Sequence, residues 1–312
     1  MDKNPITIPL NHSRYIEFDL DLLPARPDVA DALVQHLQDK LRHHDTEGWY
    51  YWDDARWRQD TKQLKNVRRS VQNCLAWMLS HARTKEAPKK ILQYIQEMRD
   101  KVTPLIRDME ISALLSLEGD CFEQTPYLLN CRNGTVDLNT ATLHPHNPGD
   151  LMTKVSPFPY TADATYPQFQ EFLNTIFEND EDLISYVQKV LGYSLTADAG
   201  KHLFWVWYGP TGRNGKSVLA NIVRSVVGTD YSSDVDPNSL DRSGRSRIPT
   251  DIMRLKNIRF IACREPDKSQ EISASLLKNL TGGDTITARH LFREEEEFKP
   301  HFKLNILTNH LP

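Results

Sequence analysis

The sequence predicts an α/β fold, a parallel sheet flanked by helices, preceded by a mostly helical region with β-hairpins. Two observations carry this. From residue 203 onward, β-prone runs alternate with helical patterns, and alternating βα units put strands parallel with helices on the sheet faces. The first of these runs, Leu203 to Tyr208, breaks at Gly209-Pro210 into a glycine-rich loop that ends in Gly215-Lys216-Ser217. A helical pattern follows at once, with Val218, Leu219, Ile222, Val223, Val226 and Val227 on one face.

Taken in order, residues 1–26 carry no strong periodicity, whereas Ala30, Leu33, Val34, Leu37 and Leu41 recur at helical spacing between Asp28 and Arg42. An aromatic hairpin is predicted at 48–58, turning at Asp53-Asp54, with its tryptophans in a small core. Helices are expected over 62–82 and 89–117, the second broken near Pro104. Asn133-Gly134 is a turn signal between short β-prone pieces, and the Pro and His density at 144–160 marks a connector. Helices at 167–177 and 181–193 precede the glycine-loop strand. Beyond the loop helix come a strand at 258–263, a helix at 272–280, a hairpin at 285–300 and a strand at 303–308. The expected division is an unassigned segment 1–45, a mostly helical domain 46–160 and a domain 161–312 that contains the glycine-rich loop.

Composition sets limits. At 312 residues, 39% apolar and 26% charged, the chain suits a soluble protein of two domains. The longest uncharged apolar run is far short of a membrane span, and the N-terminus lacks the apolar core of a signal peptide, so no membrane partner and a cytoplasmic location are expected. The four cysteines are scattered, as free thiols would be. The spacings of Cys121, Cys131, His144 and His146 match no zinc ribbon or finger. A net charge of −4 confines any nucleic-acid contact to local patches. Residues 241–268 form one, with eight Lys/Arg against four Asp/Glu, and residues 56–69 another.

The strand, glycine loop, Lys-Ser and helix read as a P-loop. Its glycines let backbone N–H groups turn around phosphate oxygens, and the helix N-terminus adds partial positive charge. The loop comprises Gly209, Pro210, Thr211, Gly212, Arg213, Asn214, Gly215, Lys216 and Ser217. Lys216 is expected at the β- and γ-phosphates of ATP and the Ser217 hydroxyl at Mg²⁺. Gly209 and Gly215 are separated by five residues where the common spacing has four. Hydrolysis also needs a carboxylate beside the metal and the attacking water. The strand at 258–263 runs into Arg264-Glu265, which places Glu265 for that work, and the strand at 303–308 runs into Asn309, whose amide can hold water or the γ-phosphate without adding negative charge.

The series NGKS, a strand ending in Glu265, Leu277 to Asp284, Thr287 to Phe292, Phe298-Lys299-Pro300 and Thr308 to Pro312 resembles the superfamily III helicase domain. It is similar to the phage- and plasmid-encoded primase–helicase group, which is related to the poxvirus helicase-primase. The likeness covers residues 170–312, and NGTVDLNTATLHPHNP at 133–148 resembles the domain preceding the helicase in the same group. It implies an AAA+-like P-loop NTPase fold and an ATP-dependent DNA helicase of phage, plasmid or prophage replication. Lys216, Glu265 and Asn309 would be its catalytic residues, with Ser217 and Glu265 at the metal. The family's channel hairpin falls on residues 278–299, so Arg289, Arg293 and Lys299 are the candidates to grip single-stranded DNA. A homo-oligomeric ring, a hexamer, and a separate primase are the implied partners.

The family completes its ATP site with an arginine from the neighbouring subunit, located beyond the sensor strand, whereas this chain stops three residues past Asn309. Such an arginine is worth about 10³ to 10⁵ in rate, so a weak ATPase is expected of these 312 residues. The alternative is a catalytically silent remnant that binds nucleotide or DNA without turnover. A P-loop phosphotransferase would leave the blocks after residue 277 without a role. No paired-carboxylate metal site supports primer synthesis.

Overall fold

A computed structural model describes residues 6–11, 14–18, 25–210, 212–236, 252–264, 274–289 and 295–310. The chain divides into two compact units, Met1–Cys121 and Phe122–Pro312.

The first unit opens with an antiparallel pair, β1 (Ile6–Asn11) and β2 (Arg14–Phe18), in the segment whose sequence shows little periodicity. Four helices follow: α1 (Arg26–Leu37), α2 (Lys65–Thr84), α3 (Lys89–Asp100) and α4 (Val102–Glu110). Their apolar stripes meet in one core containing Leu33, Val71, Leu75, Met78, Ile91 and Ile106. Between α1 and α2 lie β3 (Leu41–His44), β4 (Gly48–Trp52) and β5 (Trp57–Gln59), joined in a sheet of order β5-β4-β3-β6 by β6 (Ser116–Leu117). Trp49 and Trp57 are buried, as the core reading of the aromatic hairpin expects. Asp60, itself buried, caps α2 by accepting from the amides of Asn66 at 2.7 Å and Val67 at 2.9 Å. The helix expected over 89–117 breaks at Lys101 and ends at Glu110, after which the chain turns into β6.

The second unit starts with the meander β7 (Leu128–Cys131), β8 (Gly134–Asp137) and β9 (Thr142–His144). The two compact units meet after Cys121, whereas the sequence reading divides the chain at 160. Leu129, Cys131 and Val136 of the meander share a core with Val227 and Tyr231 further along the chain, so residues 122–160 belong to the second unit. Residues 25–45, left unassigned by sequence, supply α1 and β3 to the first unit.

Helices α5 (Pro167–Ile176) and α6 (Glu181–Ser194) lead to a parallel sheet of order β10-β15-β12-β11, formed by β10 (Phe204–Tyr208), β11 (Ser232–Val235), β12 (Phe260–Arg264) and β15 (Lys303–Thr308). The inner strands β12 and β15 are covered on both faces, as parallel strands require. Phe260, Ala262 and Leu307 meet Ala220 and Val223 of α7 (Lys216–Tyr231). Ile261, Cys263, Leu304 and Ile306 meet Leu280 of α8 (Ala274–Thr281). An antiparallel hairpin, β13 (Ile286–Arg289) with β14 (Glu295–Phe298), stands where the sequence puts one.

Candidate phosphate-binding site

In a parallel sheet every strand points the same way, so the loops after β10, β12 and β15 emerge at one edge. That edge is where open α/β sheets bind ligands. The strand order makes β10 and β15 neighbours, with Tyr208 paired to Thr308, so the glycine loop and Asn309 leave adjacent strand ends. The amide of Gly209 donates to the Thr308 carbonyl at 3.3 Å. A tight turn holds the chain around Asn309: the Thr308 hydroxyl donates to the His310 carbonyl at 2.6 Å and accepts from the His310 amide at 3.0 Å.

These constraints converge on Lys216. Its Nζ donates to the Gly209 carbonyl at 3.2 Å, to Asn214 Oδ1 at 2.8 Å and to Asn309 Oδ1 at 2.9 Å. These three acceptors are a neutral carbonyl and two neutral amides.

Two glycines make the loop possible. A Cβ on Gly209 would overlap the Asn214 side chain and approach Lys216 Nζ to 3.0 Å. Gly215 ends the loop at φ +79°, and a Cβ there would stand 2.5 Å from Ile176 Cγ2 of α5. Gly215 then N-caps α7 with no side chain to satisfy the first amides, which leaves those donors and the helix's partial positive charge to a ligand. Pro210, Gly212, Arg213 and Ser217 surround the loop, Arg213 with φ +64°.

A cavity of about 800 Å³ extends from Gly209, Asn214 and Lys216 to the α5–α6 connection. Phe177, Tyr186, Val187, Trp205 and Trp207 form its apolar and aromatic walls. The alternation of β10 explains them: Trp205 and Trp207 are half-buried, while Phe204, Val206 and Tyr208 are exposed. Sequence reading placed these residues on a strand but missed the cavity, because its other wall comes from helices some twenty to thirty residues earlier.

The residues present fit a magnesium nucleotide. Uncapped amides and an ammonium suit the phosphates, Ser217 stands beside Lys216 with a hydroxyl suited to Mg²⁺, and the cavity has the size and lining of a small-ligand pocket. Among the described residues no three His, Cys, Asp or Glu side chains gather to hold a metal.

Glu265, Thr211 and Arg293 lie outside the described residues. β12 is described as far as Arg264, whose guanidinium donates to Asn221 Oδ1 at 2.6 Å and lies 3.6 Å from Asp234. This link between α7, β11 and β12, directly before Glu265, was not anticipated from sequence. Arg289 and Lys299 sit on a different element, the β13–β14 hairpin, where the backbone pairs Arg289 with Glu295 and where Lys299 is exposed.

Below the sheet lies a buried polar cluster that sequence reading also missed. Arg259 and Glu123, each 1% exposed, meet at 3.4 Å. Arg259 also donates to the Leu195 and Leu128 carbonyls at 2.6 and 2.7 Å and lies over the Tyr231 ring at 4.6 Å. Burial pushes the Glu123 carboxyl above its usual range, opposed by Arg259 and by the amides of Thr153 and Lys154. The buried Lys303 ammonium donates to both oxygens of Thr196 and to the His301 carbonyl, and lies 4.7 Å from the Tyr193 ring.

A glycine loop, a lysine and a strand-end asparagine converging at the carboxyl edge of a parallel sheet make the second unit an α/β unit suited to a phosphorylated ligand. Comparison with known proteins is consistent in both halves. Residues 30–178 match the family described as D5 N terminal like, and residues 207–312 match one described as a family of unknown function, DUF5906. "Putative helicase L207/L206" of Acanthamoeba polyphaga mimivirus is 32% identical over 195 residues, 61% of this chain and 20% of that protein. "Putative primase C962R" of African swine fever virus is 23% identical over 227 residues, 68% of this chain and 23% of that protein. An apo structure of the NrS-1 C-terminal region aligns with 86% of this chain and 53% of that one, at 12% identity and a TM-score of 0.49. In both matched stretches the chain is similar to primase–helicase proteins. It spans about a fifth of the length of these viral relatives. No helix among the described residues is long and apolar enough to cross a membrane.

Proposed function

We propose that the second unit binds ATP with Mg²⁺ and hydrolyses it as the motor portion of a DNA helicase. The observation that carries this reading is the convergence of Gly209, Asn214 and Asn309 on Lys216 at the end of an aromatic-walled cavity. In this assignment Lys216 turns from its three oxygens to the β- and γ-phosphates, and the α7 amides hold the phosphate chain. The cavity between β10 and the α5–α6 connection takes the base. Ser217 and Glu265 would hold Mg²⁺, which would neutralise charge on the phosphates, and Glu265 would orient the attacking water. Asn309, released by Lys216, holds the γ-phosphate or that water.

The relatives' names supply the coupling to nucleic acid. Single-stranded DNA would be gripped by Arg289, Arg293 and Lys299, in a homo-oligomeric ring working beside a separate primase in the cytoplasm.

The test is ATP hydrolysis by the 312-residue chain, with and without single-stranded DNA, beside Lys216→Ala. Turnover that rises with DNA and vanishes in the variant supports the motor. Magnesium-dependent binding without turnover supports a silent nucleotide binder, and no binding overturns both.

A further inference from the structure

The charge of the first unit is segregated along the chain. Residues 61–107 hold eleven Lys/Arg against three Asp/Glu, a net +8 in a chain whose total is −4. Helix α2 contains no acidic residue in its twenty positions. Its exposed stripe reads Lys65, Arg69, Gln72, Asn73, Ser80 and Arg83. α2 packs against α3, and Arg68 Nη1 donates to Thr103 Oγ1 at 3.1 Å, which brings the start of α4 to the N-terminal end of α2. One end of the face thus gathers Lys62, Lys65, Arg69 and Lys101, and the other gathers Arg83 and Lys85, all exposed. Among the described residues none of these side chains is in an ion pair or hydrogen bond.

A solvated helix face does not need this pattern and is destabilised by it. Lys65 and Arg69 are four residues apart, a like-charge spacing that weakens a helix by about 0.2–0.5 kcal/mol. Basic residues in a first turn also oppose the helix dipole. Both α2 and α3 begin that way, with no acid in the first turn. Two helices follow the favourable rule, α1 with Asp28 in its first turn and α6 with Glu181 and Asp182, whereas α4, α5, α7 and α8 have neither an acid there nor the exposed paired cations of α2 and α3. Unpaired cations at unfavourable positions point to an external polyanion.

We propose that this α2-centred face is a nucleic-acid backbone site, separate from the β13–β14 hairpin. Lys65 and Arg83 are eighteen residues apart, roughly 27 Å at the helical rise. That matches about eight phosphates along one strand. Trp49, Tyr50 and Trp57 of the aromatic hairpin are 3%, 7% and 1% exposed and are closed to base stacking, whereas Tyr51 and Trp52 are half-buried. Contact through the lysines and arginines is made to phosphates and tolerates any sequence.

The experiment measures binding of fluorescent DNA about 20 nucleotides long, single-stranded and duplex, by anisotropy over a salt series. The full chain is used without nucleotide, so failure of the ATPase reading would not disturb the result. Two triple variants are compared, a neutral one (Lys65→Gln, Arg69→Gln, Arg83→Gln) and a charge-keeping one (Lys65→Arg, Arg69→Lys, Arg83→Lys). The neutral variant is expected to bind at least about tenfold more weakly, with a log–log salt slope shallower by about two to three, while the charge-keeping variant stays near wild type. The difference between the variants isolates this face even if the second unit also binds DNA. Equal binding by both variants overturns the proposal. So does a wild-type chain that binds anionic vesicles but neither form of DNA. A larger effect on one DNA form supports the proposal and identifies which backbone the face fits.

Discussion

Lys216 Nζ lies 2.9 Å from Asn309 Oδ1, a bond between residues 93 positions apart that joins the end of β10's loop to the end of β15. Gly209 and Asn214 supply two further neutral oxygens to the same ammonium. Lys216→Ala is expected to lose nucleotide affinity and turnover together. Asn309→Ala keeps the phosphate loop, so it is expected to retain affinity within a few-fold while turnover falls about 10²-fold or more, on the scale of removing one transition-state hydrogen bond. Nucleotide titration beside steady-state hydrolysis separates the two, and equal losses in Asn309→Ala would place the asparagine in ground-state binding instead.

Gly215→Ala tests the loop without touching a charge. The position has φ +79°, and an added Cβ meets Ile176 Cγ2 at 2.5 Å. Strain at a left-handed non-glycine position costs about 1–3 kcal/mol, and the clash adds to it by pushing α5 from the loop. A lower thermal midpoint with weakened nucleotide binding is expected. Gly212→Ala has nothing within 4 Å of its added Cβ, so its thermal midpoint is expected to stay near wild type.

The Arg259–Glu123 pair predicts an asymmetry. Arg259→Met leaves a buried carboxylate facing its Thr153 and Lys154 amides with no cation, and a loss of about 3–5 kcal/mol is expected. Replacing both, Arg259→Met with Glu123→Gln, removes the uncompensated charge and should recover part of that loss. Denaturant unfolding of the two variants checks it, and a double variant no more stable than the single would show that the carbonyls of Leu195 and Leu128 carry the effect.

Most of the second unit's architecture could be read from sequence because its signals are local. The strand over 303–308 and the helices at 167–176 and 181–194 stand within a residue of expectation, since apolar runs and periodicity report them directly. The glycine loop was legible for the same reason. The features that escaped are assembled across long separations. The β7–β9 meander packs in the second compact unit because it shares a core with residues about a hundred positions later. Arg259 looked like one member of a basic patch at 241–268, yet it is 1% exposed and directs its charge inward. Charge counted along a sequence does not distinguish a cation facing solvent from one folded under a sheet.

His301 predicts the pH response. Its ring is 6% exposed, its Nδ1 is buried without a hydrogen-bond partner, and Arg259, Lys303 and Lys299 are the cations that bear on it. Burial, then those cations, push its pKa from 6.5 down to about 4. The folded state therefore resists a proton that the unfolded chain accepts below 6.5. Between about pH 6.5 and 4 the unfolded state binds more protons, so stability falls as pH falls through that window and levels off below it. The linked loss is about 3 kcal/mol at most. His301→Phe keeps a ring of similar volume and no titrating nitrogen. Its unfolding free energy should lose the His301 share of the slope across this window while remaining parallel to wild type between about pH 7 and 8. An identical acid slope in the variant would move the origin of the acid sensitivity to other groups.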